Sequence, residues 1–309
     1  PYRVIRWPRH VMLPTPSTAE AMSQIIRELD IDTVWFGAAA PLALMSAAAR
    51  GAGARRIIAS THGHEVGWSM LPGARRVLRR IGDNADVVTY ISDYTLRRFR
   101  RAFGPHPQFR HLPSGVDTDW FRPADRPAGP PTVVCVSRLV PRKGQDMLLR
   151  VWPRILDRHP DARLRIVGSG SYENTLRQLA APLGDAVEFT GPLTTTALRD
   201  ALAAADVFAM PARTRGKGLD VEGLGIVYLE AQACGIPVIA GDSGGAPETV
   251  TPETGIVVDG RREDELATAL LTLLDDPQLA ADMGQAGRRY ARTEWSWDIM
   301  GARLRDILR

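Results

Sequence analysis

The chain has 309 residues, 44% of them hydrophobic and 24% charged, with a formal net charge of +4. No apolar run is long enough for a bilayer span and no basic segment leads into an apolar one, so neither a transmembrane helix nor a secretory signal is expected. The two cysteines, Cys135 and Cys234, fall in apolar contexts and read as buried thiols in a reducing cytoplasm, which excludes a disulfide framework and a cysteine metal site. A length of this size favours two domains over one.

Charge is unevenly divided. Residues 1–120 hold 16 Arg and no Lys against 10 Asp plus Glu, a balance of +6, and the remainder holds 23 basic against 25 acidic residues, a balance of −2. A basic first half calls for an anionic partner, nucleic acid or a membrane surface. Its cations cluster at Arg75, Arg76, Arg79 and Arg80 and again at Arg97, Arg98, Arg100 and Arg101.

In this half the pattern predicts strands at Val4 to Trp7, Thr33 to Phe36, Arg56 to Ser60, Val87 to Tyr90 and Phe109 to His111. Helices are predicted at Thr18 to Asp30, Pro41 to Arg50, Gly73 to Ile81 and Asp93 to Phe103. Short apolar strands alternating with helices argue for a parallel, Rossmann-like layer. His62 and His64, in Thr61-His62-Gly63-His64-Glu65, follow a strand at its C-terminal end, where open sheets bind ligands. No partner cluster accompanies the two histidines, so no metal is expected. The next stretch sets Trp68, Met70 and Leu71 beside Arg75, Arg76, Arg79 and Arg80 at helical spacing. That is the pattern of an interfacial segment on anionic lipid, weighed against a merely solvated basic helix. Pro113 to Pro131 is rich in Pro, Asp and Gly and reads as a linker.

A second series follows. Strands are predicted at Thr132 to Val136, Arg163 to Val167, Val187 to Thr190, Asp206 to Met210, Pro237 to Ala240 and Gly255 to Val258. Helices between them are placed at Gly144 to His159, Tyr172 to Ala181, Thr196 to Ala204, Gly225 to Ala233 and Ala246 to Val250, and three amphipathic helices, Glu263 to Leu274, Pro277 to Thr293 and Trp297 to Leu308, end the chain. Ser137 to Gly144 presents two or three cations at a helix N-terminus, a device that stabilises a departing diphosphate without a metal. Lys143 and Lys217 are the only lysines in the sequence. Glu222 stands at the mouth of a helix and Glu230 eight residues on, on a similar side of it. Such a pair alone is usually solvated, but Gly223 and Gly225 let a ligand approach the backbone. Two carboxylates with free N–H groups between them suit a nucleotide sugar. Gly168-Ser169-Gly170-Ser171 lacks a third glycine and an acidic partner, and is read as an ordinary strand-to-helix turn.

The stretch Pro211 to Gly241 resembles the Glu-x7-Glu signature of glycosyltransferase family 4, retaining enzymes of GT-B fold. The resemblance implies an α/β architecture of two Rossmann-like domains with parallel sheets facing a cleft. It places the acceptor and membrane-facing domain at 1–120, the nucleotide-sugar domain at 121–294, and a helix at 295–309 crossing back to the first. It also implies roles. Arg138 and Lys143 match the diphosphate clamp, Glu222 the sugar-contacting carboxylate and Glu230 the ribose-binding one. The backbone N–H groups of Leu224, Gly225 and Ile226 complete the diphosphate site, Thr190, Gly191 and Leu193 lie where the base is read, and His62 falls at the active-site histidine. His64 is assigned to structure and Glu65 is given no role. The family usually opens with a strand and a Gly-rich turn, and this chain opens at Pro1 without one, so an N-terminally truncated domain is expected.

Further segments, among them THGHEVGWSMLPG, LPSGVD, SRLVPRKGQD and EWSWDIMGARL, are similar to actinobacterial mannosyltransferases that use GDP-mannose and a phosphatidylinositol mannoside glycolipid. That implies a peripheral membrane, metal-independent enzyme with no nucleic-acid partner. The alternatives are a UDP-sugar hexosyltransferase, a nucleotide-sugar epimerase of the same fold, and a non-catalytic membrane-associated remnant.

Overall fold

The computed structural model describes residues 2–8, 11–124 and 129–309. The chain divides into two compact units, Pro1–Pro113 with Arg303–Arg309, and Ser114–Ala302.

In the first unit, β1 (Thr33–Phe36), β2 (Arg56–Ser60), β3 (Val87–Tyr90) and β4 (Gln108–His111) pair in parallel, in that spatial order. Helices α1 (Pro16–Glu28), α2 (Ser46–Gly51), α3 (Glu65–Met70), α4 (Pro72–Gly82) and α5 (Asp93–Phe103) accompany them. Ser92 caps α5, accepting from the Thr95 N–H while the Thr95 hydroxyl answers the Ser92 N–H, and this capping box fixes where the helix starts. Its Phe99 and Phe103 are fully buried and stack edge to face.

The strand predicted at Val4 to Trp7 is not formed. That segment makes no ladder bonds, and Ile5, Trp7 and Pro8 instead line an apolar cavity of about 630 Å³ with Ile25 and Trp35. A strand exists only through its ladder, and Pro8 offers no N–H to one. The helix predicted at Pro41 to Arg50 is divided into a 3-10 turn, Leu42–Met45, and α2.

The second unit holds a six-stranded parallel sheet. Its strands are β5 (Thr132–Val136), β6 (Arg163–Val167), β7 (Val187–Gly191), β8 (Val207–Met210), β9 (Val238–Gly241) and β10 (Gly255–Val258), in the order β10-β9-β8-β5-β6-β7. From β5 the chain builds outward through β6 and β7, then returns to the other side of β5 with β8. The β5/β8 boundary is therefore the switch point of the sheet, the place where open α/β sheets leave a crevice at their strand C-termini.

Helices α6 (Gln145–Arg158), α7 (Glu173–Ala180), α8 (Thr195–Ala203), α9 (Ile226–Ala233), α10 (Glu263–Asp275) and α11 (Pro277–Glu294) cover the sheet. On α6, Leu148, Trp152 and Ile155 are wholly buried, each contributing about 1.5–3 kcal/mol. The helix predicted at Ala246 to Val250 is a single 3-10 turn, Ala246–Thr249.

Of the predicted linker, residues 114–124 and 129–131 belong to the second unit, where the Val116 N–H donates to the Trp295 carbonyl at 2.8 Å; residues 125–128 lie outside the described set. The last helix, α12 (Trp297–Leu308), begins in the second unit, and its residues from 303 onward are part of the first. There Ile307 packs with Ile58 and Val87, and its carbonyl accepts from Arg56 at 3.0 and 2.7 Å.

Candidate active site

In the second unit, the loop after β5 and the loop after β8 meet at the switch point. After β5, the 3-10 turn Pro141–Lys143 sets Arg142 and Lys143 just ahead of α6. Gly144 follows with φ 80°, and a Cβ there would overlap the Pro211 carbonyl, so the two loops touch backbone to backbone. The fully buried Gln145 shapes the turn from beneath, its amide donating to the Ser137 hydroxyl at 2.7 Å and the Arg138 carbonyl at 3.0 Å. The 168–171 segment is the strand-to-helix turn expected, and it buttresses this loop: the Leu139 N–H donates to the Ser169 carbonyl at 2.9 Å.

Lys143 and Glu222 are both buried, and Lys143 Nζ lies 2.6 Å from Glu222 Oε2. Arg142 Nη1 stands 3.3 Å from the same oxygen, while its Nε reaches Asp220 Oδ1 at 2.9 Å. Burial lowers the pKa of Lys143, an effect that Glu222 opposes. Arg138 is exposed and pairs with no carboxylate among the described residues.

Glu222 is not on the helix. It lies in the loop four residues before α9 begins, because Gly225, at φ 89°, turns the chain into the helix as its N-cap. The eight-residue helical argument relating it to Glu230 therefore fails. What places Glu222 is the turn after β9: its N–H donates to the Ser243 hydroxyl at 3.1 Å, and its carbonyl accepts from the Gly245 N–H at 2.9 Å.

The N–H groups of Leu224, Gly225 and Ile226 meet no acceptor among the described residues, leaving donors ready for an anion at the N-terminus of α9. Glu230 sits on α9, and burial pushes its carboxyl up to about 7. Thr190 and Gly191 end β7, Gly191 at φ 69° with its carbonyl accepting from the Gly168 N–H at 2.9 Å, and Leu193 follows half-buried.

Sequence reasoning missed Arg142, Asp220 and Ser243. Arg142 was visible as the neighbour of Lys143 in the cationic turn; Asp220, well along the loop after β8, and Ser243, just past the end of β9, carried no comparable signal.

In the first unit, His62 Nε2 lies 2.5 Å from the Gly37 carbonyl and His64 Nε2 3.1 Å from that of Ala40. Glu65, given no role from the sequence, is wholly buried and accepts from the His62 and Gly63 N–H groups, both at 3.1 Å, so it sets the turn that carries the histidines. No group of three His, Cys, Asp or Glu side chains is placed to hold a metal ion among the described residues. Met70 of α3, Leu71 between the helices and Arg75, Arg76, Arg79 and Arg80 of α4 are exposed, but Trp68 of α3, expected to be exposed, is half-buried.

Paired cations and carboxylates beside unpartnered backbone N–H groups at a strand end form a site suited to group transfer from an anionic substrate. The chain belongs to the glycosyltransferases: the "Glycosyl transferases group 1" model matches residues 116–290 and the "Glycosyltransferase Family 4" model residues 1–120. It is an α/β protein of GT-B fold and a hexosyltransferase.

The chain is 63% identical to the GDP-mannose-dependent monoacylated alpha-(1-6)-phosphatidylinositol monomannoside mannosyltransferase of Corynebacterium glutamicum, over 99% of this chain and 84% of that protein. It is 58% identical to the GDP-mannose-dependent alpha-(1-6)-phosphatidylinositol monomannoside mannosyltransferase of Mycolicibacterium smegmatis, again over 99% and 84%. Among solved structures, sucrose-phosphate synthase from Thermosynechococcus elongatus superposes with TM-score 0.80 at 26% identity, over 95% of this chain and 77% of that one. A glycosyltransferase from Rickettsia africae gives 0.81 at 19%, over 97% and 84%.

Proposed function

We propose that the enzyme moves mannose from GDP-mannose to a phosphatidylinositol mannoside, forming an alpha-1,6 linkage with retention. The observation that carries this reading is the pairing at the switch point of Lys143 with Glu222, on a chain 63% identical to a mannosyltransferase of that specificity. Arg138, Lys143 and the N–H groups of Leu224, Gly225 and Ile226 bind the diphosphate, Glu222 holds sugar hydroxyls, and Glu230 takes the ribose. Thr190, Gly191 and Leu193 border the base. His62 contacts the sugar and helps position the acceptor.

The acceptor 6-hydroxyl attacks C1 from the face that GDP leaves. The C1–O bond to phosphate breaks, the new C1–O bond forms, and an oxygen of the departing diphosphate takes the hydroxyl proton. Protein cations supply the charge stabilisation, so no metal is required.

The acceptor is a lipid, and the first unit offers it a surface. Arg75, Arg76 and Arg79 of α4 and Arg101 of α5 line a cavity of about 440 Å³, and Arg79, Arg100 and Arg101 line a second of about 550 Å³. With Met70 and Leu71 exposed beside them, this face suits anionic headgroups and supports the reading of a peripheral enzyme docking on the inner face of the plasma membrane. No helix among the described residues is long and apolar enough to cross a membrane.

Calorimetric titration with GDP and then UDP at matched salt tests the donor. GDP preference is expected; UDP preference would move the reading to another hexosyltransferase, and no binding to either would remove the enzyme's donor site.

A further inference from the structure

Two neighbouring cations, Arg142 and Lys143, fall on one oxygen of Glu222. Lys143 Nζ and Arg142 Nη1 lie 2.6 and 3.3 Å from Oε2, whereas Oε1 meets no donor among the described residues. The side chains of Arg142, Lys143 and Glu222 are only 13%, 10% and 9% exposed, so this charge balance is struck away from water.

A donor upsets it. The diphosphate draws on the Lys143 ammonium, and an enclosed carboxylate that loses its only cation is severely penalised. Arg142 is built to prevent that. Its Nε is tied to Asp220 at 2.9 Å, and its carbonyl accepts from the Arg213 N–H at 2.8 Å. Arg213 is itself held by Asp146, at 2.9 and 2.8 Å. A guanidinium bridges two carboxylates with its rigid fork, whereas an ammonium on a flexible stem is a point charge that can change partner. The buried Tyr228 hydroxyl donates to the Met210 carbonyl at 2.6 Å and offers Glu222 no substitute.

We propose that Arg142 is a positioning residue for transfer: anchored on Asp220, it keeps Oε2 of Glu222 occupied while Lys143 serves the diphosphate, so that Oε1 faces the sugar hydroxyls. This rests on the reading of Lys143 and Glu222 as donor-binding groups. The two cations, adjacent in sequence, thus divide the work, one mobile and one fixed.

The experiment compares GDP with GDP-mannose by calorimetry, and measures transfer kinetics, for the full chain carrying Arg142→Met, Arg142→Lys or Asp220→Asn. GDP has no sugar for Glu222 to hold. Arg142→Met is expected to keep GDP affinity within about threefold, to weaken GDP-mannose at least about tenfold and to lower kcat. Arg142→Lys, which retains the charge and guards against loss of fold, shows the same split in smaller size. Asp220→Asn shifts GDP-mannose alone, and adding it to Arg142→Met costs nothing further, because both act on one bridge. Equal losses for GDP and GDP-mannose, or unchanged GDP-mannose binding in Arg142→Met, would overturn the proposal. Glu222→Gln separates the two levels: if it transfers like the wild type, the site reading and this proposal fail together. If it is crippled while Arg142→Met is not, only the proposal fails.

Discussion

The strand-end site of the second unit and the arginine face of the first are both built from cations, and what surrounds the charge makes them different devices. Lys143 and Arg142 are nearly closed off from solvent and stand within 3.3 Å of carboxylates. Arg75, Arg76, Arg80, Arg100 and Arg101 are exposed and pair with no carboxylate among the described residues. A cation taken out of water has to be matched, which fixes its geometry and makes it selective. Cations left in water act additively, tolerate many anions and are screened by salt.

That contrast can be broken at either end. Removing a donor-site group has the largest expected effect: Lys143→Ala should cut transfer by about a hundredfold or more. Glu222 still has Arg142 in that variant, so the far-UV circular dichroism melt should stay cooperative, and wild-type turnover would refute the role of Lys143. Next comes the backbone contact that brings the two loops together. Gly144→Ala sets a Cβ against the Pro211 carbonyl at a positive φ and should cost about 2–4 kcal/mol in urea unfolding. A change within about 0.5 kcal/mol would mean that the loop yields.

At the other end, reversing Arg75, Arg76, Arg79 and Arg80 to Glu should weaken binding to phosphatidylinositol-containing vesicles at least about tenfold and leave GDP binding alone. Raising ionic strength from about 0.05 to 0.5 M should mimic the vesicle effect. Undiminished sedimentation with vesicles would remove the interfacial role.

The smallest effect concerns pH. Burial holds Glu230 protonated up to about 7, so GDP affinity should rise a few-fold as pH climbs through 7 and the carboxylate becomes available to ribose hydroxyls. The stability sign is opposite. A carboxyl raised from its ordinary value of 4.5 contributes fully below 4.5 and loses that contribution as pH rises toward 7. Glu230→Gln should flatten both dependences, and a pH profile of GDP binding unchanged by that substitution would separate Glu230 from the ribose.

Much of the fold was legible because its elements are bounded by local chemistry. Helix α5 is found where the Ser92 cap and the basic, apolar-striped run place it, and β5, β6 and β10 coincide with short apolar segments between turn residues. Elements whose existence depends on a neighbour were not legible: Val4 to Trp7 has strand composition and no ladder. In the site, cations in a strand-to-helix turn announced Lys143, and glycines announced the entry to α9. The true support of Glu222 did not show, because Ser243 and Gly245 approach it from a different strand, more than twenty residues away. Trp68 shows the same limit, since it and Met70 share the short helix α3 and differ in exposure by the side of it they take.

The loop after β8 has one more consequence. A Cβ at Gly144, Gly241 or Gly260 would strike the backbone of Pro211 or Ala212, so three distant segments crowd one dipeptide. In a saturation-mutagenesis map scored by growth, these three positions should be as intolerant as Lys143 and Glu222, although glycine presents no side chain to a ligand. Growth alone would present them as chemistry. Sorting the same library by protein abundance would recognise them as the joinery that holds two loops in register.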